Sequence, residues 1–294
     1  MNTALITGCA TGFGHLLAAR LLAEGWHVVA TDPVVGDWAQ ALPHPERLTT
    51  AALDVRDAAA VARVVSSLER LDLLVNNGGY AVFAAQEEAD LSAIADLFDV
   101  NVMGVARVTQ AALPLLRAAK GMVVNLSSVA GRTVFPESGY YAATKHAVEA
   151  LSEALAQEAG PLGVRVRVVE PGSFDTQFLP TAAASSPAPP PDSPYATLRE
   201  LWGQRKTSVL ESPQDPTMVV DAIMASLGRA VPFERVVVGP DSERILATRD
   251  LLGADGFSLL SMARNGVEGA FDHDALDDTT RAQVAALGHL DHLD

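Results

Sequence analysis

ALITGCATGFG, residues 4–14, is the stretch that decides the fold. The apolar run at 4–7 predicts a β-strand, and LLAARLLAEG at 16–25 predicts an α-helix that ends at Gly25. The turn between them contains Gly8, Gly12 and Gly14. Such a turn lets the backbone approach a pyrophosphate, which the N–H groups at the helix N-terminus can bind. The alternative is a glycine-rich turn that closes a strand–helix unit without any ligand.

The same alternation of short β-branched runs with longer Ala/Leu-rich runs continues beyond this unit. Further strands are predicted at 27–31, 48–55, 72–75, 122–126, 164–170 and 236–239, and further helices at 58–70, 88–118 and 141–160. Strands separated by crossover helices favour a parallel sheet with both faces covered. We therefore predict an α/β fold of the Rossmann type, a doubly wound parallel β-sheet of about seven strands with helices on both faces.

Two later regions differ in composition. Five prolines in TAAASSPAPPPDSP, residues 181–194, predict a long loop with no regular helix or strand. After the strand at 236–239 about 55 residues remain, with helical patterns and many aspartates near the end. We predict one domain at 1–240, in which residues 173–216 form a lid, and a helical C-terminal extension at 241–294.

Composition restricts the partners and the compartment. The chain of 294 residues is 49% apolar, enough for a sizeable core, and carries a net charge of −15, which argues against nucleic acid or an anionic membrane as the main partner. No secretory leader or membrane-spanning run is visible, so we expect a cytoplasmic protein. Cys9 is the one cysteine, so no intrachain disulfide can form. Its thiol is either a small filler or, beside a helix N-terminus, somewhat reactive.

Asp32 lies at the end of the second predicted strand, 18 residues after Gly14. A carboxylate at this place can accept hydrogen bonds from both hydroxyls of an adenosine ribose, and it would repel a 2′-phosphate. No Arg or Lys follows in DPVVGDW, residues 32–38, to compensate. The sequence therefore predicts NAD rather than NADP as the cofactor. The alternative is that Asp32, before Pro33, caps a helix or a turn.

Tyr141 and Lys145 stand four residues apart at the start of a predicted helix, so both side chains lie on one face. Free tyrosine, with a pKa of about 10, is a poor base at neutral pH. A neighbouring ammonium group favours the phenolate and lowers that pKa. The pair thus suggests acid–base chemistry, although the start of an ordinary amphipathic helix would look the same.

Polar side chains follow two neighbouring strands at the edge where open α/β sheets bind ligands. Ser127 and Ser128 follow the strand at 122–126, and Asn76-Asn77-Gly78-Gly79 follows the strand at 72–75. A hydroxyl at Ser128 could hold a substrate carbonyl or alcohol oxygen beside Tyr141. Asn101 lies between Val100 and Val102 within the helical stretch, which favours an inward side chain in need of a partner.

Taken together, these motifs resemble the short-chain dehydrogenase/reductase family, in its compact single-domain branch. The matching elements follow the family's order over about 170 residues: TGCATGFG at 7–14, Asp32, Asp54-Val55, NNGG at 76–79, Asn101, NLSS ending at Ser128, YAATK at 141–145 and PGSFDT at 171–176. The glycine-rich turn is similar to that of retinol- and steroid-dehydrogenase-like members. One departure is Gly79, where the family has Ala in NNAG; we expect a minor effect, or a wider pocket.

The resemblance implies an oxidoreductase that interconverts a secondary alcohol and a ketone by hydride transfer. Tyr141 would be the general acid and base, and Lys145 would lower its pKa and bind the nicotinamide ribose. Ser128 would bind and polarise the substrate oxygen. Asn101 would hold a water in a proton relay to Lys145. The domain at 1–240 would then be dinucleotide-binding and catalytic, and the lid at 173–216 would cover the substrate.

The resemblance also implies a set of residues that bind the cofactor. They are Gly8, Thr11, Gly12, Phe13, Gly14, Asp32, Asp54, Val55, Asn77, Gly78, Tyr141, Lys145, Pro171, Gly172 and Thr176. Asp54 and Val55 would flank the adenine, and Pro171, Gly172 and Thr176 would shape the nicotinamide end. No metal site is expected, because FDHDALDD at 271–278 lacks the spacing of a calcium loop and is typical of a solvated acidic surface.

Aromatic and apolar residues in the lid favour a medium-to-large apolar substrate, unless they only anchor the lid to the body. They are Phe174, Phe178, Leu179, Tyr195, Leu198 and Trp202. With Ser128 and Tyr141, we expect Phe174 and Phe178 to contact the substrate. By analogy with the family, the helices around 91–118 and 141–160 would form a homodimer or homotetramer. The competing functions are an epimerase or dehydratase, whose larger C-terminal domain this chain lacks room for, and a non-catalytic NAD-binding sensor.

Overall fold

The computed structural model describes residues 1–210 and 214–264, with the side chains of 1–203 and 214–262. Within these residues one sheet contains seven strands: β1 Thr3–Thr7, β2 His27–Asp32, β3 Leu48–Ala52, β4 Leu73–Asn76, β5 Met122–Leu126, β6 Arg165–Pro171 and β7 Phe233–Val238. All neighbouring strands are parallel, in the order β3-β2-β1-β4-β5-β6-β7. The predicted doubly wound Rossmann-type sheet is confirmed.

Helices cover both faces of this sheet. They are α1 Gly12–Ala23, α2 Ala58–Ser66, α3 Leu91–Phe98, α4 Val105–Ala119, α5 Gly139–Ala159, α6 Phe178–Ser185, α7 Ala196–Leu210, α8 Thr217–Leu227 and α9 Pro240–Arg264. Successive strand side chains point to opposite faces, so Ile6 packs with α1 and α8 while Leu5 packs with α2, α4 and the end of α5. No helix in the described ranges is long and apolar enough to cross a membrane.

The helical stretch predicted at 88–118 is not one α-helix. A π-helical turn at Asp99–Gly104 separates α3 from α4. The side chain of Asn101, inside this turn, hydrogen-bonds to the backbone of Tyr80 and to Thr144. A Cβ on Gly104 would collide with Val55. Helical periodicity does not reveal such a turn, because it is set by these contacts with other segments.

The prediction of a loop at 181–194 is wrong in its first part, because α6 continues to Ser185. Alanines 182–184 continue that helix, and the hydroxyl of Ser186 donates to the carbonyl of Ala182 while it accepts a hydrogen bond from the N–H of Phe83. The following segment, 187–194, contains the five prolines and has neither helix nor strand, as predicted.

A chain of buried amides and hydroxyls ties the middle of the sheet to its helices. Asn76 Nδ2 on β4 donates to Thr109 Oγ1 on α4 at 2.9 Å and to Asn125 Oδ1 on β5 at 2.7 Å. Asn125 Nδ2 donates in turn to Ser152 Oγ on α5 at 2.8 Å. Because these groups are buried, each needs its partner. This hydrogen-bond network fixes α5, and with it Tyr141 and Lys145, against the end of β5.

We expect Asn125→Val to lower the free energy of unfolding by about 1–3 kcal/mol, because it removes one partner of Asn76 and of Ser152 in a buried place. Urea unfolding followed by circular dichroism measures the effect. Ser66→Ala, which removes an exposed hydroxyl on α2, is the matched control. Equal free energies of unfolding for the two variants would contradict a stabilising role of this hydrogen-bond network.

Candidate active site

The carboxyl ends of β1, β4, β5 and β6 open into a cleft of about 490 Å³. It brings together most of the predicted site residues: Gly8, Thr11, Gly12, Phe13, Asp32, Asp54, Val55, Asn77, Gly78, Ser128, Tyr141, Lys145, Pro171, Gly172, Phe174, Thr176 and Phe178. Gly14 and Asn101 do not line the cleft. Both are buried directly behind it.

The glycine-rich turn is locked to the loop that follows β4. Asn77 Nδ2 donates to the carbonyls of Thr7 at 2.9 Å and Gly8 at 2.8 Å, and the N–H of Gly78 donates to Thr7 Oγ1 at 3.0 Å. Gly8 has a φ of +72°, and a Cβ there would lie 2.7 Å from the Cα of Gly78. A Cβ on Gly14 would collide with the carbonyl oxygen of Gly8. The glycines at 8 and 14 are therefore required by packing as well as by conformation.

This cradle fits a dinucleotide. The backbone of the turn lines the cleft where the N-terminus of α1 begins, which is the arrangement that binds a pyrophosphate. Asp32 ends β2, on one side of β1 in the sheet, and Ser128 follows β5, on the other side. The cleft thus extends from Asp32 past the turn to Ser128 and Tyr141, as an adenosine-to-nicotinamide axis requires.

Arg56 is a cleft residue that the sequence analysis missed. Its Nε donates to both carboxylate oxygens of Asp54, at 3.0 and 3.1 Å, and its Nη2 donates to Oδ2 at 2.7 Å. This contact lowers the pKa of Asp54. The segment 32–38 after β2 contains no Arg or Lys, whereas Arg56 reaches the cleft from the loop after the neighbouring strand β3. Asp32 itself accepts a hydrogen bond from the N–H of Ala10 at 3.1 Å.

Ser128, Tyr141 and Lys145 meet at the other end of the cleft. The hydroxyl of Ser128 lies close enough to the phenol of Tyr141 to oppose the rise of its pKa, and both side chains line the cleft. Lys145 Nζ lies 5.8 Å from the centre of the Tyr141 ring and donates to the carbonyl of Leu126 at 2.7 Å. The start of α5 and the end of β5 thereby place an alcohol, a phenol and an ammonium group around one point.

Burial changes the acidity of both titratable groups in this triad. It raises the pKa of Tyr141 to about 12, and the Ser128 hydroxyl only partly opposes this. It lowers the pKa of Lys145 to about 8, against the effect of the Glu149 carboxylate. Lys145 donates to the carbonyl of Leu126 and burial dominates the pKa of Tyr141, so the expectation that Lys145 lowers this pKa stays a prediction. Tyr141 is protonated at neutral pH and can donate a proton.

Asn101 holds the loop beside Lys145. Its Oδ1 accepts from the N–H of Tyr80 at 3.1 Å, and its Nδ2 donates to the carbonyl of Tyr80 at 2.8 Å and to Thr144 Oγ1 at 3.2 Å. A Cβ on Gly79 would lie 3.0 Å from Asn101 Oδ1 and 3.9 Å from Lys145 Nζ. Gly79, the departure from the NNAG pattern, therefore leaves space between these two side chains.

The aromatic and apolar residues of the predicted lid divide into two groups. Phe174, Phe178 and Leu179 line the cleft, and Phe178 also packs on the Tyr141 ring at 5.6 Å between ring centres. In contrast, the hydroxyl of Tyr195 donates to Glu87, and Trp202 stacks on Phe135. Tyr195, Leu198 and Trp202 are not among the cleft residues. For Tyr195 and Trp202 the anchoring interpretation is therefore the correct one.

Ion pairs add to this anchoring. Arg199 on α7 donates to Glu88 at 2.8 Å and to Glu137 at 2.6 Å, which lie before α3 and before α5. Since these pairs are partly buried, they are screened less by solvent than surface pairs. They fix the beginning of α7 over the loop that leads to Tyr141.

Asp241, at the start of α9, holds the turn after β6, a role that no sequence pattern indicates. Its Oδ2 accepts from the N–H of Ser173 at 2.7 Å, and its Oδ1 accepts from Gln214 Nε2 at 2.6 Å and from the N–H of Ser242 at 2.8 Å. A Cβ on Gly172 would collide with this carboxylate. The segment after β7 thus shapes the Pro171–Ser173 turn, to which the nicotinamide end of the cleft was assigned.

Cys9 is a buried side chain and not a reactive thiol in the described structure. Burial raises the pKa of the Cys9 thiol to about 12, and Sγ contacts the carbonyl of Ile6, so the filler interpretation holds. Residues 1–210 and 214–264 contain no group of three His, Cys, Asp or Glu side chains able to hold a metal. The motif at 271–278 lies outside the described residues.

A family model described as short chain dehydrogenase matches residues 2–186. Among curated proteins, the chain is 35% identical to the 3-ketodihydrosphingosine reductase of Bacteroides thetaiotaomicron, over 80% of this chain and 87% of that protein. It is 32% identical to the mitochondrial D-beta-hydroxybutyrate dehydrogenase of Mus musculus, covering 79% and 75%. It is 35% identical to retinol dehydrogenase 7 of Mus musculus, covering 70% and 64%.

Solved structures show the same similarity. A short-chain dehydrogenase from Streptomyces avermitilis superposes with a TM-score of 0.75 at 28% identity, covering 99% of this chain and 97% of that one. A short chain dehydrogenase from Burkholderia cenocepacia, solved in complex with NADP, superposes with a TM-score of 0.68 at 25% identity, covering 85% and 92%.

We expect Asp241→Ala to weaken the binding of NADH by about tenfold, because the N–H of Ser173 and the amide of Gln214 lose a charged acceptor and the turn loses its shape. Fluorescence titration with NADH measures the affinity. Asp221→Ala, which removes an exposed carboxylate on α8, should bind NADH as the parent does. An unchanged affinity in the Asp241 variant would show that α9 does not shape this end of the cleft.

Proposed function

Since the chain belongs to the short-chain dehydrogenase/reductase family, we propose that it interconverts a secondary alcohol and a ketone with NAD, with Tyr141 as the general acid and base. Membership in the family makes it an oxidoreductase that acts on an alcohol or ketone with a nicotinamide cofactor. The choice of NAD, the roles of the residues and the class of substrate are our proposal.

One observation carries the assignment of the site. The hydroxyls of Ser128 and Tyr141 are neighbours in the same cleft as the glycine-rich turn, with Lys145 one helical turn from Tyr141. A carbonyl oxygen placed between the two hydroxyls would accept a hydrogen bond from each. Both donors come from rigid elements, since Ser128 directly follows β5 and Tyr141 lies in the first turn of α5.

The residues divide the work of reduction as follows. Ser128 orients the carbonyl oxygen of the ketone, and Tyr141, protonated at neutral pH, donates its proton to that oxygen. Below about pH 8 the Lys145 ammonium is charged and stabilises the phenolate that remains. Phe83 and Phe178 cover the Tyr141 ring and exclude water. The nicotinamide, when bound, supplies the hydride, and it accepts the hydride in the oxidation of the alcohol.

We propose that the cofactor lies along the cleft in the direction given by the sheet order. The turn from Gly8 to Gly14 would hold the pyrophosphate, with Thr11 and Phe13 beside it, and Asp54 and Val55 would flank the adenine. Asn77 and Gly78 would support the central part of the cofactor. Lys145, Pro171, Gly172 and Thr176 would hold the nicotinamide end. Asn101 is proposed to act on Lys145, through the space that Gly79 leaves.

Two carboxylates support NAD over NADP. Asp32 lies where a 2′-phosphate would attach and would repel it. Arg56, the cation of that region, has its Nε and Nη2 engaged by Asp54, so its charge is already compensated.

We propose an apolar substrate of medium or large size. Phe83 and Phe178 pack on the Tyr141 ring, and Phe174 and Leu179 line the same cleft. Among the relatives, the retinol and 3-ketodihydrosphingosine enzymes are named for such compounds, and the hydroxybutyrate enzyme is named for a small polar one. The division into a domain at 1–240 and an extension at 241–294, and the homodimer or homotetramer, stay predictions.

We expect Tyr141→Phe to abolish turnover while NADH binding survives, because the variant lacks the proton donor but keeps the shape of the ring. The assay uses a panel of retinol, 3-ketodihydrosphingosine, (R)-3-hydroxybutyrate and 1-phenylethanol with NAD or NADH. Tyr140→Phe removes a hydroxyl from the neighbouring ring, which packs in another cluster, and should keep its activity. Turnover that persists in the Tyr141 variant would refute the proposed chemistry and favour another proton donor.

The cofactor preference is a separate expectation. We expect kcat/KM with NAD to exceed that with NADP by at least about tenfold, because like charges at close range are strongly unfavourable. Asp32→Asn should reduce this ratio, and Asp37→Asn, an exposed carboxylate five residues further on, should leave it unchanged. A higher kcat/KM with NADP in the parent protein would overturn the assignment.

A further inference from the structure

A buried pair of carboxyl groups lies behind the catalytic helix. Glu149 on α5 is 6% exposed, and Glu170 at the end of β6 is fully buried. Within the described residues, no donor hydrogen-bonds to Glu149 Oε1 or to either carboxyl oxygen of Glu170. Neither residue lines the cleft, so the proposed chemistry does not use them directly. Buried charge without partners is costly, so the pair requires an explanation.

The cations around the pair favour a charge on Glu149 rather than on Glu170. Arg235 on β7 donates from Nε to Glu149 Oε2 at 3.0 Å, but the same nitrogen lies 3.6 Å from Glu170 Oε1. Arg132, after β5, lies 3.6 Å from Glu170 Oε2. Both arginines are also shared with exposed carboxylates, Arg235 with Glu153 on α5 and Arg132 with Asp250 on α9.

The two carboxyl groups are best satisfied by a shared proton. A proton on Glu170 removes the charge that has no close donor and lets Glu170 donate a hydrogen bond to Glu149. Consistent with this, burial and the neighbouring Glu149 raise the pKa of Glu170 to about 7, although Arg132 and Arg235 oppose the increase. One negative charge then remains on Glu149.

That charge lies one helical turn from Lys145. Residues four apart on an α-helix are neighbours on its surface, and the Glu149 carboxylate raises the pKa of Lys145 against burial. No charged group other than Glu149 is among the causes that shift the pKa of Lys145, and three neighbours of the ammonium are uncharged in the protonated state of Tyr141. They are the carbonyl of Leu126, the Tyr141 ring and, across the space at Gly79, the amide of Asn101.

We propose that Glu149 is a positioning residue that keeps Lys145 charged, and that Glu170 holds the proton which leaves the negative charge on Glu149. The proposal rests on the proposed function insofar as Lys145 acts on Tyr141. Glu149 itself touches neither substrate nor cofactor. Its effect on the reaction passes through the ammonium group, whose presence decides how readily Tyr141 gives up its proton.

The test measures the charge of Lys145 without any turnover. The chain has three lysines, Lys120, Lys145 and Lys206, so protein labelled with ¹³C-lysine gives few Cε signals, assigned with Lys120→Arg and Lys206→Arg. We expect the pKa of Lys145 from an NMR titration to fall by about one pH unit in Glu149→Gln. Glu149→Asp keeps the charge but withdraws it by one methylene. The pKa of Lys145 in this variant should therefore lie between the values for the parent and for Glu149→Gln.

Glu153→Gln is the matched control, because Glu153 lies on the same helix and binds the same Arg235, yet is about half exposed. It should leave the Lys145 titration unchanged. If Glu149→Gln leaves Lys145 unchanged, or if Glu153→Gln shifts it equally, the proposal is overturned. Should Glu149→Gln fail to fold, the titration of Glu149→Asp decides alone, and a value equal to the parent's overturns the proposal.

Turnover and stability give two further readouts. With the panel member that reacts fastest, the alkaline limb of the kcat/KM profile should move to lower pH in Glu149→Gln. Absence of any turnover in the parent would count against the proposed function while the NMR result still decides on Glu149.

Because the pKa of Glu170 lies above its ordinary value of 4.5, the folded state binds this proton more tightly than the unfolded chain.

Stability should therefore fall as the pH rises from about 4.5 to about 7. Glu170→Gln has no such proton to lose, so its Tm should fall less over this range. An equal fall of Tm in Glu170→Gln and in the parent would show that Glu170 does not hold the proton.

Discussion

The amide of Asn77 is the contact on which the arrangement of the site depends. It joins the loop after β4 to the carbonyls of Thr7 and Gly8 so closely that Gly8 and Gly14 cannot carry a side chain. The turn is thereby held open on its other side, toward the cleft. β1 lies between β2 and β4 in the sheet, so the two halves of the binding site lie on either side of this contact. Asp32 lies to one side of it, and Ser128, Tyr141 and Lys145 lie to the other.

The sequence was informative wherever the relevant distance along the chain was short. The strand–turn–helix unit, the four-residue spacing of Tyr141 and Lys145, and Ser128 directly after β5 are local patterns, and the structure brings these residues together as expected. It was uninformative where a contact joins remote segments. Arg56 reaches the cleft from a neighbouring strand, and Asp241 reaches the turn after β6 from 68 residues further along the chain. No periodicity encodes such contacts.

The π-helical turn shows the same limit in another form. The sequence places Asn101 correctly on a helix and suggests that it is buried, but the interruption of that helix follows from what the side chain binds. Tyr80 and Thr144 belong to two other elements, and Val55, against which Gly104 packs, belongs to a third. In the same way, the sequence pattern places Glu149 on a helix and indicates nothing more. Its environment is set by β6 and β7, which bring Glu170 and Arg235 close to it.

Cys9 gives this cofactor turn a built-in reporter. The thiol lies inside the strand–turn–helix unit, is fully buried, and has a pKa raised to about 12. Because the chain contains no second cysteine, any reaction with a thiol reagent must come from this position. Modification then requires the turn to open, and its rate under native conditions reports the free energy of that local opening. The rate at which a reagent modifies this one sulfur atom thus measures how rigid the glycine-rich turn is.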